Sequence, residues 1–315
     1  MSTVATETAY ATVESSYGFR ASNQISNRLR TRITAALGYD PVEASAVPEA
    51  ANIGEGCGNP LLIASLSEVT PRPRFSIRHG GGFDCFLAAK KVGPTGKVTG
   101  IDMTEKMVEL ARRNAASGGY SNVTFCYSRI SQLPVDDASI DCVMSNCVLN
   151  LVPAAEKQRV FAEIHRVLKP NGYVVVSDFL AYKPLPQEMI DDPALQAGCV
   201  SGAVETAVMQ KYLQQAGFSD ILLMDTNKNL ELYKDGEAAK SVTPCCAGGA
   251  CGGKEQVTAS GRKELDYDIN EWIGSFQIYA LKGKKEDETT VTVEKAAVPI
   301  ENSRTSCCGC KSGAC

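Results

Sequence analysis

The chain is rich in sulfur. Its 315 residues include 13 cysteines but only 2 histidines. A histidine-rich metal site is therefore not expected, whereas abundant cysteine indicates thiol chemistry or binding of a soft metal in a reducing compartment. Cys85, Cys126 and Cys142 are exceptions, because they lie in apolar periodic segments and can serve as small buried residues.

A second chemical signal is the run Gly80, Gly81 and Gly82, with Asp102 about 20 residues further on. A glycine-rich turn after the first strand of an α/β sheet lets the backbone approach a bound nucleotide. An acidic residue after the next strand accepts hydrogen bonds from ribose hydroxyls. This spacing fits a dinucleotide or S-adenosylmethionine. A tight turn and a surface carboxylate would give the same pattern.

Alternating strands and helices would position these residues between about residues 75 and 178. A strand ending at Asp102 is predicted by GKVTGID, and a helix capped by Thr104 and ended by glycines is predicted by EKMVELARRNAASGG. Further strands are predicted by NVTFCYS, SIDCVMSN and YVVVSD. An amphipathic helix that ends at Pro170 and Gly172 is predicted by AAEKQRVFAEIHRVLKPNG. The alternation predicts a parallel sheet with crossover helices.

The remaining segments suggest four regions. Residues 1–50 read as an N-terminal extension with weak helical patterning from Ile25 to Leu37, and residues 51–180 read as the core. Residues 181–283 contain two more predicted strands, DILLMDTN and SFQIYALKG, around a Gly/Cys-rich insertion. Residues 284–315 read as a disordered Cys-rich tail, because their polar composition offers no core.

Charge and hydropathy exclude several classes of partner. The net charge of −4 gives no reason to expect nucleic acid or an anionic membrane. The first twenty residues contain no secretory signal, and no apolar run reaches the length of about 20 residues that spans a bilayer. We therefore expect a cytoplasmic protein.

Long segments of the chain resemble known enzymes. VTGIDMTEKMVELARRNA and LPVDDASIDCVMSNCVLNLVPAAEKQRVFAEIHRVLKPNG resemble class I S-adenosylmethionine-dependent methyltransferases. EGCGNPLLIASL, GGGFDCFLAAKKVGPTGKVTGIDMT, SNCVLNLVP and LQAGCVSGA are similar to the arsenite methyltransferase family, over residues 35 to 225. The resemblance implies an α/β, Rossmann-like fold with a mostly parallel seven-stranded sheet, helices on both faces and a small C-terminal region. It assigns S-adenosylmethionine to the 51–180 core and arsenic to the 181–283 region.

The resemblance also implies a cofactor site. S-adenosylmethionine would lie over Gly80 to Gly82, with its ribose on Asp102 and Met103 beside the adenosine. Ile130 would flank the adenine, and Asn146 would face the methionine end.

The same resemblance implies that trivalent arsenic binds Cys57, Cys147 and Cys199, whose thiolates suit this soft, pyramidal element. Cys147 directly follows a predicted strand, where a substrate facing the cofactor would lie. The implied reaction transfers methyl groups from S-adenosylmethionine to arsenite or its glutathione conjugate and so detoxifies it. Glutathione or thioredoxin would serve as the thiol reductant.

The other cysteines have open roles. Many relatives carry a cysteine upstream of the position of Cys57, and this chain has none there. A substitute could come from the insertion or the tail, namely Cys245, Cys246, Cys251, Cys307, Cys308, Cys310 and Cys315. The adjacent pairs Cys245 and Cys246, and Cys307 and Cys308, could also bind arsenic and pass it to the core site. These thiols could instead have no defined function.

One stretch departs from the family pattern. RPRFSIRHG places charges where a central strand should be apolar, and Ser76, Arg78 and His79 stand where the family has Asp, Gly and Ser. A reading-frame error or genuine divergence would explain it.

Two alternative functions stay open. One is a methyltransferase of an organic acceptor such as a quinone or sterol, and the other is a non-catalytic metalloid-binding protein.

Overall fold

The fold is built on one sheet with the strand order β3-β2-β1-β4-β5-β7-β6. The structure, a computed structural model, describes residues 3–23, 25–64, 74–78, 80–230 and 268–283. Strands β1 to β5 pair in parallel, and β7 is antiparallel to both of its neighbours. The strands are β1 (Arg74–Arg78), β2 (Lys97–Asp102), β3 (Val123–Tyr127), β4 (Ile140–Asn146), β5 (Leu168–Ala181), β6 (Phe218–Asp225) and β7 (Ile273–Lys282).

The strand order reverses between β1 and β4. The chain runs outward from β1 to β3 and then returns to place β4 on the other side of β1. Ligands of open α/β sheets bind beyond the carboxyl ends of the strands at such a switch point. Gly80, Asp102 and Cys147 follow or end β1, β2 and β4, so all three lie at this edge.

Helices cover both faces of the sheet, as the alternating burial along β4 shows. Cys142 and Met144 pack with α4 and α5, whereas Val143 packs with α6 and α9 on the other face. This arrangement confirms the predicted Rossmann-like class. The helices are α1 (Thr3–Ser22), α2 (Asn27–Ala36), α3 (Pro41–Ser45), α4 (Phe83–Lys91), α5 (Glu105–Gly118), α6 (Lys157–Val167), α7 (Gln187–Ile190), α8 (Pro193–Ala197) and α9 (Thr206–Gln215).

The predicted end of α6 is wrong. The helix ends at Val167 rather than at Pro170 and Gly172, and β5 begins at the next residue. Two interactions explain the early end. Lys282 Nζ donates hydrogen bonds to carbonyl oxygens at the helix end, and Leu168 already pairs with Ile140 of β4.

The stretch RPRFSIRHG contains the first strand in spite of its charges. Arg74–Arg78 is β1, paired in parallel with β2 on one side and β4 on the other. Backbone hydrogen bonds to two neighbouring strands impose the strand where side-chain pattern argues against it.

The N-terminal extension is more ordered than its composition indicates. Helix α1 packs against α5 and α8. Its polar anchors include the Tyr10 hydroxyl, which donates to Glu156 Oε2 at 2.6 Å, and Glu7, which forms two hydrogen bonds with the Arg129 guanidinium at 2.7 and 2.8 Å. The segment therefore belongs to the body of the domain.

Chain contacts group Met1–Lys284 into one compact unit. The finer division at residues 50 and 180 stays a prediction. Both Cys-rich segments, with the cysteines from Cys245 to Cys251 and from Cys307 to Cys315, lie outside the described residues. Among the helices that are described, none has the length and apolarity needed to cross a lipid bilayer.

Candidate functional site

Three sulfur atoms from distant parts of the chain meet at the switch-point edge of the sheet. The Sγ atoms of Cys57, Cys147 and Cys199 all lie within 4.8 Å of one another. Cys57 and Cys147, 90 residues apart in sequence, form a disulfide, and Cys199 is a free thiol. Within the described ranges this is the one cluster of three or more Cys, His or acidic side chains with ligand-binding geometry.

Cys147 is fixed at the end of β4 in an unusual backbone conformation. Its φ of 56° lies in the left-handed region, which costs a non-glycine residue energy unless its surroundings hold it there. The Cys147 N–H donates to the Ser177 carbonyl at 2.8 Å. The Asp178 carboxylate accepts from the N–H groups of Val148 and Leu149 at 3.1 and 2.9 Å. Strand β5 thus determines where the Cys147 sulfur points.

Cys57 is held in a loop that lies across the ends of β4, β5 and β7. Its N–H donates to Asn146 Oδ1 at 3.0 Å, and the Ser275 hydroxyl donates to its carbonyl oxygen. The loop approaches the sheet closely, because a Cβ on Gly58 would lie 3.1 Å from Ser177 Cβ. The glycine beside Cys57 therefore permits the sulfur to reach the sheet edge.

Cys199 follows α8 and is also left-handed, with a φ of 63°. Asn150 Nδ2 donates to the Cys199 carbonyl at 3.0 Å and to the Phe179 carbonyl at 2.7 Å. The Cys199 thiol donates to the Cys147 carbonyl at 2.9 Å. Asn150 therefore ties the Cys199 turn to the end of β5.

Two buried charges lie beside the sulfur cluster. Asp178 Oδ1 is 3.7 Å from Cys57 Sγ, and burial raises the pKa of Asp178 to about 6 although Lys157 opposes the shift. Burial lowers the pKa of Lys157 to about 8, with Asp178 acting in the opposite direction. Burial also raises the pKa of Cys199 well above its ordinary value. Cys199 is consequently a protonated thiol near neutral pH, and a metalloid must displace its proton.

The predicted cofactor edge lies next to the sulfurs. Gly80, Asp102, Asn146 and Cys147 line one cavity of ≈ 30 Å³. Gly82, with a φ of 92°, makes the left-handed turn that starts α4. The glycine turn at the N-terminus of α4 offers backbone N–H donors, and the carboxylate of Asp102 at the end of β2 offers hydrogen-bond acceptors. A nucleoside needs both types of partner.

The cavity is narrow, since the space open to the centre of a water molecule amounts to only ≈ 30 Å³. The backbone at Ala51 packs directly against the glycine turn, because a Cβ on Gly81 would lie 2.4 Å from the Ala51 carbonyl oxygen. Ile53, Gly56 and Tyr17 also line the cavity. A nucleoside could enter this edge only after segment 51–56 or α1 has moved.

Comparison with known proteins finds methyltransferases among the similar sequences. The sequence profile of a family described as "Methyltransferase domain" matches residues 80–217. The arsenite methyltransferase of Halobacterium salinarum is 40% identical over 206 residues, which cover 65% of this chain and 52% of that protein. The arsenite methyltransferase of Mus musculus is 38% identical over 168 residues, covering 48% and 44%.

A solved structure gives the same result. An arsenic(III) S-adenosylmethionine methyltransferase from Chlamydomonas reinhardtii superposes with a TM-score of 0.54 at 28% identity, covering 80% of this chain and 74% of that one. This chain is thus similar in sequence and in fold to arsenite methyltransferases. It spans about half the length of the curated relatives that it matches.

The predicted site residues of this chain divide into two groups. The three cysteines meet, and Gly80, Asp102 and Asn146 share the neighbouring cavity. Met103 lies instead in an apolar cluster with Cys57 and Cys199, and Ile130 is buried in another with Ile101. Their roles beside adenosine stay predictions. Asn146 also has a structural role that the sequence does not predict. Its side chain accepts a hydrogen bond from the Cys57 N–H and donates one to the Gly58 carbonyl, and so holds the Cys57 loop.

Several site residues were not found from the sequence. Asp178 stands in VSDF and Lys157 begins an amphipathic helix, but neither position shows in sequence that it faces sulfur. Tyr17 and Arg20 lie in the N-terminal extension. The spacing of Tyr10, Val13 and Tyr17 is that of one face of a helix and could have predicted helix α1. Asn150 in SNCVLNL is three residues from Cys147, a spacing that could have marked it.

The turn that carries Cys199 provides a test of the packing. A Cβ on Gly202 would lie 1.9 Å from the Asn150 carbonyl oxygen, so Gly202→Ala must displace the turn. We expect a loss of about 1–3 kcal/mol in unfolding free energy, measured by denaturant titration, together with weaker arsenite binding. Gly283→Ala is the matched control, because its nearest neighbour is 3.8 Å away. Equal stability of the two variants would contradict this packing.

Proposed function

We propose that this chain methylates trivalent arsenic, using S-adenosylmethionine as methyl donor and Cys57, Cys147 and Cys199 as arsenic ligands. The observation that carries the proposal is the meeting of three sulfurs within 4.8 Å of one another, beside the cavity lined by Gly80 and Asp102. The arsenite methyltransferases among its relatives support the same activity.

Arsenic binding requires the sulfurs in their reduced form. Two external thiols would reduce the Cys57–Cys147 disulfide and leave as a disulfide of their own. Three protein thiols would then displace three hydroxides of arsenous acid and release three water molecules. The product is a neutral pyramidal arsenic with its lone pair on the face opposite the sulfurs. Glutathione or thioredoxin in the cytoplasm is the proposed reductant, and a glutathione conjugate of arsenite is an equivalent substrate.

The residues of this chain would contribute mainly positioning. Asp102 and the glycine turn would hold the ribose and the rest of the cofactor, with Met103 and Ile130 near its adenosine. S-adenosylmethionine supplies a methyl group that its sulfonium charge makes electrophilic. Because the arsenic lone pair is already a nucleophile, the site needs no general base. Holding the reacting centres about 3–3.5 Å apart is a large source of rate in such reactions.

The redox balance requires a reductant in each round. Methyl transfer raises arsenic from the trivalent to the pentavalent state, and two electrons from a pair of thiols return it to the trivalent state. Cys57 and Cys147 are a fitting pair, because they already form a disulfide in the structure. External thiol would then regenerate them.

Two observations favour a second candidate, a metalloid-binding protein without catalysis. The cavity at the glycine turn has a volume of only ≈ 30 Å³, and β1 carries the divergent RFSIR sequence. Titration calorimetry of the reduced full chain with S-adenosylmethionine separates the two. Binding favours the enzyme, whereas tight arsenite binding without cofactor binding favours sequestration.

The direct experiment is to incubate the reduced full chain with arsenite, glutathione and S-adenosylmethionine and to identify the arsenic species by chromatography and mass spectrometry. We expect methylated arsenicals. If arsenite remains unchanged although the chain binds the cofactor, the proposed activity is wrong.

A separate prediction concerns the disulfide. Protein isolated without thiol should bind almost no arsenite at this site, because two of the three ligands are bonded to each other. Binding should return after treatment with dithiothreitol and its removal. A variant with serine at all cysteines from Cys245 to Cys251 and from Cys307 to Cys315 excludes binding elsewhere. Arsenite binding by this variant in its oxidised form would contradict the prediction.

A further inference from the structure

The two sulfur atoms of the disulfide differ in their access to solvent. Cys57 is 1% exposed and packs in an apolar cluster with Met103 and Phe179. Cys147 is half-buried and lines the narrow cavity at the edge of the sheet. A thiol reduces a disulfide by attacking one of its sulfur atoms directly, so it must reach that atom. The accessible sulfur for a thiol arriving from solvent is therefore that of Cys147.

The backbone around Cys57 is fixed on both sides of the residue. The Cys57 N–H donates to Asn146 Oδ1 at 3.0 Å, and the Ser275 hydroxyl donates to the Cys57 carbonyl oxygen. The next residue, Gly58, packs so closely on the sheet that a Cβ there would lie 3.1 Å from Ser177 Cβ. The Cys57 sulfur therefore keeps its place when its bond to Cys147 breaks.

A buried carboxylate faces the Cys57 sulfur. Asp178 is fully buried, and its Oδ1 lies 3.7 Å from Cys57 Sγ. The N–H groups of Val148, Leu149 and Phe179 donate to this carboxylate at 2.9 to 3.1 Å and fix its orientation. A disulfide sulfur carries no proton, so Cys57 can donate a hydrogen bond to Asp178 only after reduction, when it has an S–H group. A hydrogen bond that exists in the reduced state alone stabilises that state.

We infer that an external thiol attacks Cys147, that Cys57 is the leaving sulfur, and that Asp178 is a positioning residue that stabilises the released Cys57 thiol. In the first step the external sulfur bonds to Cys147, the bond between the two protein sulfurs breaks, and Cys57 takes up the proton that the external thiol gives up. A second external thiol then attacks the external sulfur on Cys147, leaves with it as a disulfide and returns Cys147 as a thiol. Two electrons thus pass from two external thiols to the protein. This inference rests on the proposed function, because it orders the reduction that arsenic binding requires.

The first experiment locates the mixed disulfide. The oxidised full-length chain, with serine at the seven cysteines from Cys245 to Cys315, is mixed briefly with glutathione and quenched with N-ethylmaleimide. Peptide mass spectrometry should find glutathione on Cys147 and maleimide on Cys57, with about tenfold more glutathione on Cys147 than on Cys57. Equal labelling, an excess of glutathione on Cys57, or an isolated chain without the Cys57–Cys147 disulfide overturns the inference.

The second experiment measures the reduction potential of the disulfide in glutathione buffers. In Asp178→Asn the equilibrium constant for reduction should fall about tenfold, a shift of about 30 mV to a more negative potential. The reason is that a neutral amide accepts a hydrogen bond more weakly than a carboxylate does. Asp141→Asn is the matched control, because Asp141 accepts hydrogen bonds from Lys169 at the other end of β4 from Cys147. Its potential should not change.

An unchanged potential in Asp178→Asn, or an equal shift in Asp141→Asn, removes Asp178 from this role. If Asp178→Asn does not fold, the glutathione labelling of the chain with Asp178 intact decides the matter. Neither experiment uses arsenite. A chain that takes up glutathione on Cys147 but leaves arsenite unmethylated would therefore contradict the proposed function and not this inference.

Discussion

Serine at Cys147 or at Cys199 should abolish methylation of arsenite, lowering turnover by about 100-fold or more in the assay of arsenic species. Each substitution removes one of three sulfurs that lie within 4.8 Å of one another and leaves arsenic free to turn its lone pair away from the methyl donor. Serine oxygen is a hard ligand and replaces thiolate poorly at a soft centre.

Cys126→Ser is the control for this prediction. Cys126 is a half-buried free thiol of β3, outside the sulfur cluster, so its replacement should leave turnover near that of the unsubstituted chain. Near-normal turnover in Cys147→Ser or Cys199→Ser would remove that cysteine from the arsenic site.

Asp102→Ala should raise the dissociation constant for S-adenosylmethionine by about 10- to 100-fold, because hydrogen bonds to a charged acceptor contribute about 1.5–3 kcal/mol. The carboxylate ends β2 at the cavity and accepts a hydrogen bond from Thr104 N at 2.7 Å. Titration calorimetry on the reduced chain measures the change. Arsenite affinity should stay constant, because Asp102 is not one of the sulfur ligands.

Asp136→Ala removes an exposed aspartate from a loop away from the cavity and is the matched control. An unchanged dissociation constant in Asp102→Ala would place the ribose elsewhere. A parallel loss of arsenite binding would show that Asp102 supports the fold rather than the cofactor.

The regular part of the fold was predictable because its signals are local. The spacing of apolar residues, together with capping residues and glycines, correctly predicts strands β2, β3 and β4 and helix α5. Gly119, with a φ of 69°, ends α5 as the run of glycines indicates. The meeting of the three cysteines was predictable only through family resemblance, because residues 90 positions apart carry no local sign of contact.

The remaining features depend on tertiary contacts that no short window contains. Helix α1 was not predicted because polar Thr6, Ser16 and Arg20 share its buried face with Tyr10 and Val13. The charges of β1 are atypical of a central strand, yet pairing with a neighbouring strand on each side imposes the extended conformation.

The left-handed backbone of Cys147 and Cys199 has no signature in sequence, because glycine is the usual residue there. Side chains from β5 and from the segment after β4 hold both residues in place.

X-ray absorption at the arsenic K-edge tests the central claim most directly. The sample is the reduced full chain with serine at every cysteine from Cys245 to Cys315, loaded with one equivalent of arsenite. The account predicts three sulfur ligands on arsenic, falling to two sulfurs and one oxygen in Cys199→Ser. Two results would contradict the account. One is a mixture of sulfur and oxygen ligands while all three site cysteines are present, and the other is three sulfur ligands in Cys199→Ser.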